Sequence, residues 1–275
     1  MAGINTNLTS LNTARNLHSS QMAQSQAVQR LSSGLRVNSA KDDSAGLAIA
    51  ERFNAQVKGM NVAIRNANDA VSLAQTAEGA LSKVSDMLQR MRELSVQSAN
   101  ATNSASDRVN LDAEYSQLGS EITRTLGGTS FNGTNMLGAN AGTLTFQVGA
   151  GTTTNDTIAI TTTRLDNNAS ITAVSTGSIT TATLATASIG QLDTAIDKIT
   201  TERATYGAAQ NRFESAIGVL QVSAENSAAS RSRIMDADYA TETAALSRAQ
   251  VLQQAGTAML AQANQLPNQV LTLLR

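Results

Sequence analysis

The sequence predicts a mainly α protein: long antiparallel helical rods of coiled-coil type, a small β-hairpin region, and seamed helices at both termini. Three observations carry this. Near each end, apolar residues recur at spacings of three and four, the interval that puts one narrow stripe on a helix. A similar stripe runs through residues 44–97 without a proline. Residues 132–187 change character: they are rich in Thr, Ser, Asn and Gly, almost without charge, and hold two segments alternating at period two.

Taken in order, the first helix spans about 6–33. Its stripe is Ile4, Leu8, Leu11, Ala14 and Leu17, resumed at Val28, Leu31 and Leu35, and Gly34 ends it as the residue that best tolerates a left-handed cap. Residues 35–44 are polar and irregular, and Asp42, Asp43 and Ser44 are N-cap candidates for the second helix. That helix, 44–97, carries Ile49, Phe53, Val57, Met60, Ile64, Ala67, Val71, Ala74, Ala77, Leu81, Val84, Leu88 and Met91. At 1.5 Å per residue it would reach roughly 80 Å, too long for a compact domain. After a loop at 100–106, Asp107 caps a shorter helix to about Leu126, closed by Gly127 and Gly128.

Strands come next at 143–148 and 157–162, where Leu144, Phe146 and Val148 and then Ile158 and Ile160 alternate. Residues 149–156 join them, which places the hairpin at about 140–165; a disordered low-complexity linker is the alternative. Helix resumes near Ile189 with Leu192, Ile196, Ile199, Arg203, Tyr206, Gln210, Phe213 and Ile217. Arg203 and Gln210 are polar seam positions of the kind that specify register. A break at 231–236 precedes the last helix, to about 274. Its stripe is Leu252, Ala255, Met259, Gln262, Leu266, Val270 and Leu273, and Pro267 should kink it.

A seam this narrow cannot build a globular core alone, so the two ends are expected to pair with each other and with other copies. Residues 1–43 and 236–275 then form a terminal coiled-coil domain, and 44–235 a rod domain with the hairpin. The chain reads first as a building block.

Composition narrows the function. Of the 275 residues only 15% are charged, and a surface so poor in charge suits coverage by neighbours. A net charge of −1 and 3% aromatics without Trp leave neither the basic stripe nor the stacking platforms of a nucleic-acid binder. With no cysteine, disulfides and thiolate metal sites are excluded. No apolar run suggests a cleaved signal or a membrane span; by that test alone the chain would stay in the cytoplasm.

No active site is legible. The single histidine, His18, sits among Ser19, Ser20 and Gln21, and no phosphate loop, paired-His motif or nucleophile elbow occurs. No cofactor or metal is expected. Asn-x-Ser/Thr triplets at Asn7, Asn100, Asn132, Asn155 and Asn168 are a weak signal in a chain of this composition. The Thr/Ser cluster at 152–188 is a more natural O-linked site, with a plain solvated surface as the simpler reading. In residues 88–96, Leu88 and Met91 continue the seam, Arg90 and Glu93 form an i,i+3 pair, and Leu94 lies off the seam, which suggests contact with another chain.

Several segments together resemble one family. Residues 30–50 (RLSSGLRVNSAKDDSAGLAIA) and 247–275 (SRAQVLQQAGTAMLAQANQLPNQVLTLLR) are similar to the ends of bacterial flagellin, as are 88–100 (LQRMRELSVQSAN), Phe131-Asn132-Gly133 and 230–241 (SRSRIMDADYAT). The resemblance implies a structural subunit that polymerises helically into the flagellar filament for swimming motility. It implies paired terminal helices as an inner tube, with assembly residues Ile4, Leu8, Leu11, Leu31, Leu252, Met259, Leu266, Val270 and Leu273. It also implies type III export without a cleaved signal peptide to an extracellular location, which replaces the cytoplasmic reading.

Its implied partners are further copies of itself, an export chaperone, and the filament cap and hook-junction proteins, with no nucleic acid and no membrane insertion. The same resemblance makes Gln89, Arg90, Glu93 and Leu94, with Glu114 on the next helix, the residues read by a host flagellin-sensing Toll-like receptor. Large outer domains common in the family are expected to be absent, because only about thirty residues separate the hairpin from Ile189. The alternatives are a hook–filament junction protein and, in another class, a secreted membrane-active effector. The latter expects a basic polar face, whereas residues 251–274 hold no Lys or Arg.

Overall fold

A computed structural model describes the backbone of residues 6–273 and the side chains of 6–265. Of the expected assembly positions, Ile4 and the side chains of Leu266, Val270 and Leu273 lie outside the described residues. The elements are α1 (Leu8–Ser33), α2 (Ser44–Ala99), α3 (Ala105–Gly128), β1 (Ser130–Phe131), β2 (Thr134–Asn135), β3 (Thr143–Gln147), β4 (Thr157–Thr161), α4 (Ala169–Ser175), α5 (Ala182–Met235) and α6 (Tyr239–Leu273). The mainly α class is as expected. The chain divides into two compact units, residues 1–57 with 225–275, and residues 58–224. The divisions fall inside α2 and α5 rather than at their ends.

Local chemistry sets the helix boundaries. Asn7 caps α1 by accepting from the Ser10 amide at 3.0 Å, and Gly34 closes it with φ 70°. At the start of α2, Asp43 rather than Asp42 accepts from the Gly46 amide, at 2.7 Å. The Asp42 carboxylate instead takes the amides of Asn38 and Ser39. Asp107 is not the cap of α3. Ser104 is, and Asp107 sits three residues on, completing a reciprocal capping box. α5 begins at Ala182, earlier than Ile189, because the Ala/Thr-rich turn before the apolar stripe is helical too. α6 continues as helix past Pro267.

The first unit is organised by α1 against α6. Asn7 donates to the Ala263 carbonyl at 2.7 Å and Ser10 to Asn264 at 2.9 Å, while Arg30 meets Glu242 at 2.8 Å, so the two helices run antiparallel. Beyond α1, the Arg36 amide donates to the Met235 carbonyl at 2.6 Å and the Ala237 amide to that of Gly34 at 2.9 Å. Val37, Ala50 and Met235 form a small core beneath them.

The second unit holds the main core. On α2, Ala67, Ala70, Ala74, Ala77, Leu81, Val84, Leu88 and Met91 repeat at three-four spacing and are buried. They share that core with Leu192, Ala195, Ile199, Tyr206, Ala209 and Phe213 of α5. Ion pairs Arg203–Glu78 at 2.7 Å and Arg92–Asp193 at 2.6 Å fasten α2 to α5 in antiparallel order. The buried polar seam residues of α5 are Ser188 and Glu202, 4% and 5% exposed, and Arg203 stands beside the seam, paired across it.

β3 and β4 form the expected hairpin, with Leu144 opposite Ile160 and Phe146 opposite Ile158. Phe146 meets Phe213 edge-on with centroids 5.5 Å apart. The carbonyl of Gln147 accepts from Asn66 of α2 at 3.1 Å. Three elements add to the expected set. β1 and β2 make a second, minimal hairpin whose turn residues Asn132 and Gly133 both have positive φ, the requirement of a primed turn. α4, buried through Ile171 and Val174, packs on α3. Among the described residues, nothing larger than α4 lies between the hairpin and α5.

Candidate functional site: assembly faces and the exposed face of α2

Two stripes with the same three-four spacing compete on α1. The one facing α6 is Ser10, Thr13, Leu17, Ser20, Gln24, Ala27 and Leu31, all more covered than their neighbours. On α6 the matching stripe is Glu242, Leu246, Ala249, Gln253, Gly256, Leu260 and Ala263. These residues are mostly small or polar. Small side chains let two helices approach closely: a Cβ on Gly256 would stand 3.2 Å from Cδ1 of Leu17 and 4.0 Å from its Cα.

The expected apolar stripe lies elsewhere. Leu8 is 67% exposed, Leu11 54%, Leu252 51% and Met259 60%, so none of these four seals α1 to α6. Leu17 and Leu31 of the expected stripe belong instead to the inner seam, both half-buried. Sequence periodicity points to the large apolar residues. Close packing selects mostly small residues instead, with Leu17, Leu31, Leu246 and Leu260 among them, and leaves Leu8, Leu11 and Leu252 facing outward. A paired run of Ser, Ala and Gly at heptad spacing on both termini is the signal that marks the inner seam.

Arg30 and Glu242 are the one charged pair on this seam among the described residues, with side chains 27% and 11% exposed. Glu242 also lies in the first turn of α6, where the helix dipole favours a negative charge.

On the outward face of α2, Arg90 donates from Nε to Glu114 of α3 and from a terminal nitrogen to Glu93, each at 2.9 Å. Those hydrogen bonds, first to Glu114 and then to Glu93, hold the guanidinium above its ordinary pKa. Gln89, Arg90 and Glu93 are exposed and Glu114 is 47% exposed, so these four share one solvated face. Two turns of helix also carry Arg92 and Val96 along a shallow groove with Gln89, Glu93 and Gln97. The Arg92 hydrogen bond keeps the Asp193 carboxyl below its usual range.

Leu94 does not belong to that face. It is 1% exposed and packs in the core shared with α3 and α5. The stripe of α2 widens here, because α3 covers a second side of the helix and buries a residue that one seam alone would leave outside. The inference that Leu94 contacts another chain is thereby overturned.

His18 is exposed on α1. No group of His, Asp and Glu suited to a metal occurs among the described residues. No helix among the described residues is long and apolar enough to cross a membrane.

Comparison with known proteins agrees with this architecture. Residues 4–142 match the bacterial flagellin N-terminal helical region and residues 189–274 the C-terminal helical region. The chain is 44% identical over 272 residues to a flagellin of Halalkalibacterium halodurans, covering 99% of each. It is 40% identical over 290 residues to the flagellar filament 33 kDa core protein of Treponema phagedenis, again covering 99% of each. Among solved structures, the crystal structure of Bacillus cereus flagellin matches with TM-score 0.51 and 36% identity, over 56% of this chain and 88% of that one. With both helical regions matched and relatives alike from end to end, the chain belongs to the bacterial flagellin family.

Proposed function

We propose that the chain is the structural subunit of a bacterial flagellar filament, polymerising helically through its terminal helices outside the cell. One observation carries this: α1 and α6 seal against each other through small residues while Leu8, Leu11, Leu252 and Met259 face outward, unpartnered. Among the described residues nothing buries the exposed apolar stripe on either of these paired helices, and further copies supply that burial. Residues 1–43 and 236–275 then form the inner tube and residues 44–235 the shell around it. Export proceeds without a cleaved signal, and an export chaperone, the filament cap and hook-junction proteins are its other bacterial partners.

Leu11→Asp and Met259→Asp test the reading, because each residue is more than half exposed. Both variants are expected to keep the helical content and melting temperature of the parent subunit. Both should fail to form filaments in electron micrographs. Filaments of normal length from both would overturn it.

A second reading concerns host recognition. Gln89, Arg90, Glu93 and Glu114 form the face read by a flagellin-sensing Toll-like receptor, with Leu94 supporting it from beneath. The Arg90–Glu114 pair supports this, since a guanidinium already held by a carboxylate loses less side-chain freedom at binding. Gln89→Ala together with Glu93→Ala should reduce receptor signalling by purified monomer and leave its melting unchanged. Undiminished signalling would exclude it.

A further inference from the structure

We propose that Met22 and Met259 are oxidation sites that gate polymerisation: a peroxide-class oxidant converts their thioethers to sulfoxides in the free subunit, and the modified subunit is excluded from the polymer. The proposal rests on the filament reading above.

The described methionines fall into two groups. Met60, Met91, Met136 and Met235 are buried at 8% exposure or less, and Met87 is half-buried, whereas Met22 and Met259 are 57% and 60% exposed. The two exposed ones share the outward stripes. Met22 lies about three helical turns beyond Leu11, and Met259 about two turns beyond Leu252, so each returns to the same side of its helix. The chain has no cysteine and no tryptophan, which leaves the methionine sulfurs as its principal targets for such an oxidant.

The chemistry is an oxygen transfer. A sulfur lone pair attacks one oxygen of hydrogen peroxide, the O–O bond breaks and an S–O bond forms. The sulfide is oxidised by two electrons, the peroxide is reduced, and proton transfer releases water. An apolar, adaptable side chain becomes a polar one with a strong acceptor oxygen, which costs free energy to bury without a donor. In the free subunit that oxygen points to water and is tolerated. Between subunits it meets an apolar stripe. The same burial shields the sulfurs once the polymer has formed.

Purified subunit is treated with a limited amount of hydrogen peroxide, quenched and allowed to polymerise. Pellet and supernatant are then separated by ultracentrifugation and mapped by peptide mass spectrometry, with Met91 and Met136 as internal controls. Sulfoxide at residues 22 and 259 should be enriched about tenfold in the supernatant. In filaments treated after assembly, these two methionines should oxidise about tenfold more slowly than in free subunit.

The Met22→Leu/Met259→Leu double variant should polymerise equally with and without peroxide, whatever its own untreated rate. Sulfoxide shared evenly between pellet and supernatant would overturn the proposal while leaving the filament reading intact. So would a peroxide-sensitive double variant. Untreated protein that never polymerises would overturn both.

Discussion

Arg30 of α1 places a guanidinium nitrogen 2.8 Å from Oε1 of Glu242 on α6, with the carboxylate side chain only 11% exposed. The pair closes one end of a seam otherwise built from small and uncharged residues, so it fixes the register in which α1 lies along α6. Removing the cation strands a nearly buried carboxylate, which costs more than the pair itself contributes. Arg30→Ala is expected to destabilise the subunit by about 2–3 kcal/mol, allowing for partial solvent access at Arg30. Glu242→Gln, which keeps packing without charge, should cost less. Urea denaturation of the two variants checks the ranking, and equal small losses would mean that the pair is solvated.

Leu94 provides a test that separates core from surface within two turns of α2. Leu94→Ala should lower unfolding stability by about 2–5 kcal/mol, as expected for a buried leucine. Gln89→Ala, exposed on the other side of the helix, should change it by no more than about 0.5 kcal/mol. If Leu94→Ala were neutral to folding yet abolished assembly, the residue would face a neighbouring chain after all.

Gly119 of α3 lies against Ser175, the last residue of α4. A Cβ there would stand 2.4 Å from the backbone oxygen of Ser175, and backbone cannot rotate aside as a side chain can. Gly119→Ala should therefore cost about 1–3 kcal/mol despite the better helix propensity of alanine. Hydrogen exchange should localise the loss to residues 169–175.

Acid should loosen the helix termini and the hairpin loop. Asp42, Asp107, Asp156 and Asp238 are all held below their ordinary 3.8, chiefly by hydrogen bonds from Ser39, Ser104, Thr153 and Thr241. Asp193 is lowered by Arg92. A carboxyl with a depressed folded pKa contributes its stability fully above the unfolded value and loses it as pH falls through the folded one. Melting temperature should be flat above about pH 5 and fall steadily below about pH 4. Asp107→Asn should reduce that slope, whereas a profile that stays flat to about pH 2 would show these hydrogen bonds to be unimportant.

How far the sequence can be read differs from element to element. The proline-free stripe of α2 determines a helix whose ends fall within about two residues of 44 and 97, because a long repeat averages over any single ambiguous position. Strict alternation at Leu144, Phe146, Ile158 and Ile160 marks the hairpin strands. α4 is hidden because seven residues of Thr, Ser, Ala, Ile and Val carry no period, and only burial against α3 makes them helical. The capping box of α3 is present as Ser104 and Asp107, but sequence spacing alone does not say which of the two is the cap.

By itself, the sequence determined that both termini are helices with apolar stripes and that several segments resemble flagellin. Only the tertiary structure decided which stripe faces inward. On α1, the Leu8/Leu11 stripe and the Ser10/Thr13/Leu17 stripe have equally good helical spacing, so periodicity cannot rank them. Packing against a specific neighbour decides: Gly256 admits α1 at close range with Leu17 lying over it, and small residues such as Ser10, Thr13, Ser20 and Ala27 fill much of the remaining seam. Leu8 and Leu11 are left on the outside, where none of the described residues covers them. Leu94 is the converse case. One helix seen alone has a single seam, and a second neighbour, α3, turns an outward leucine into core.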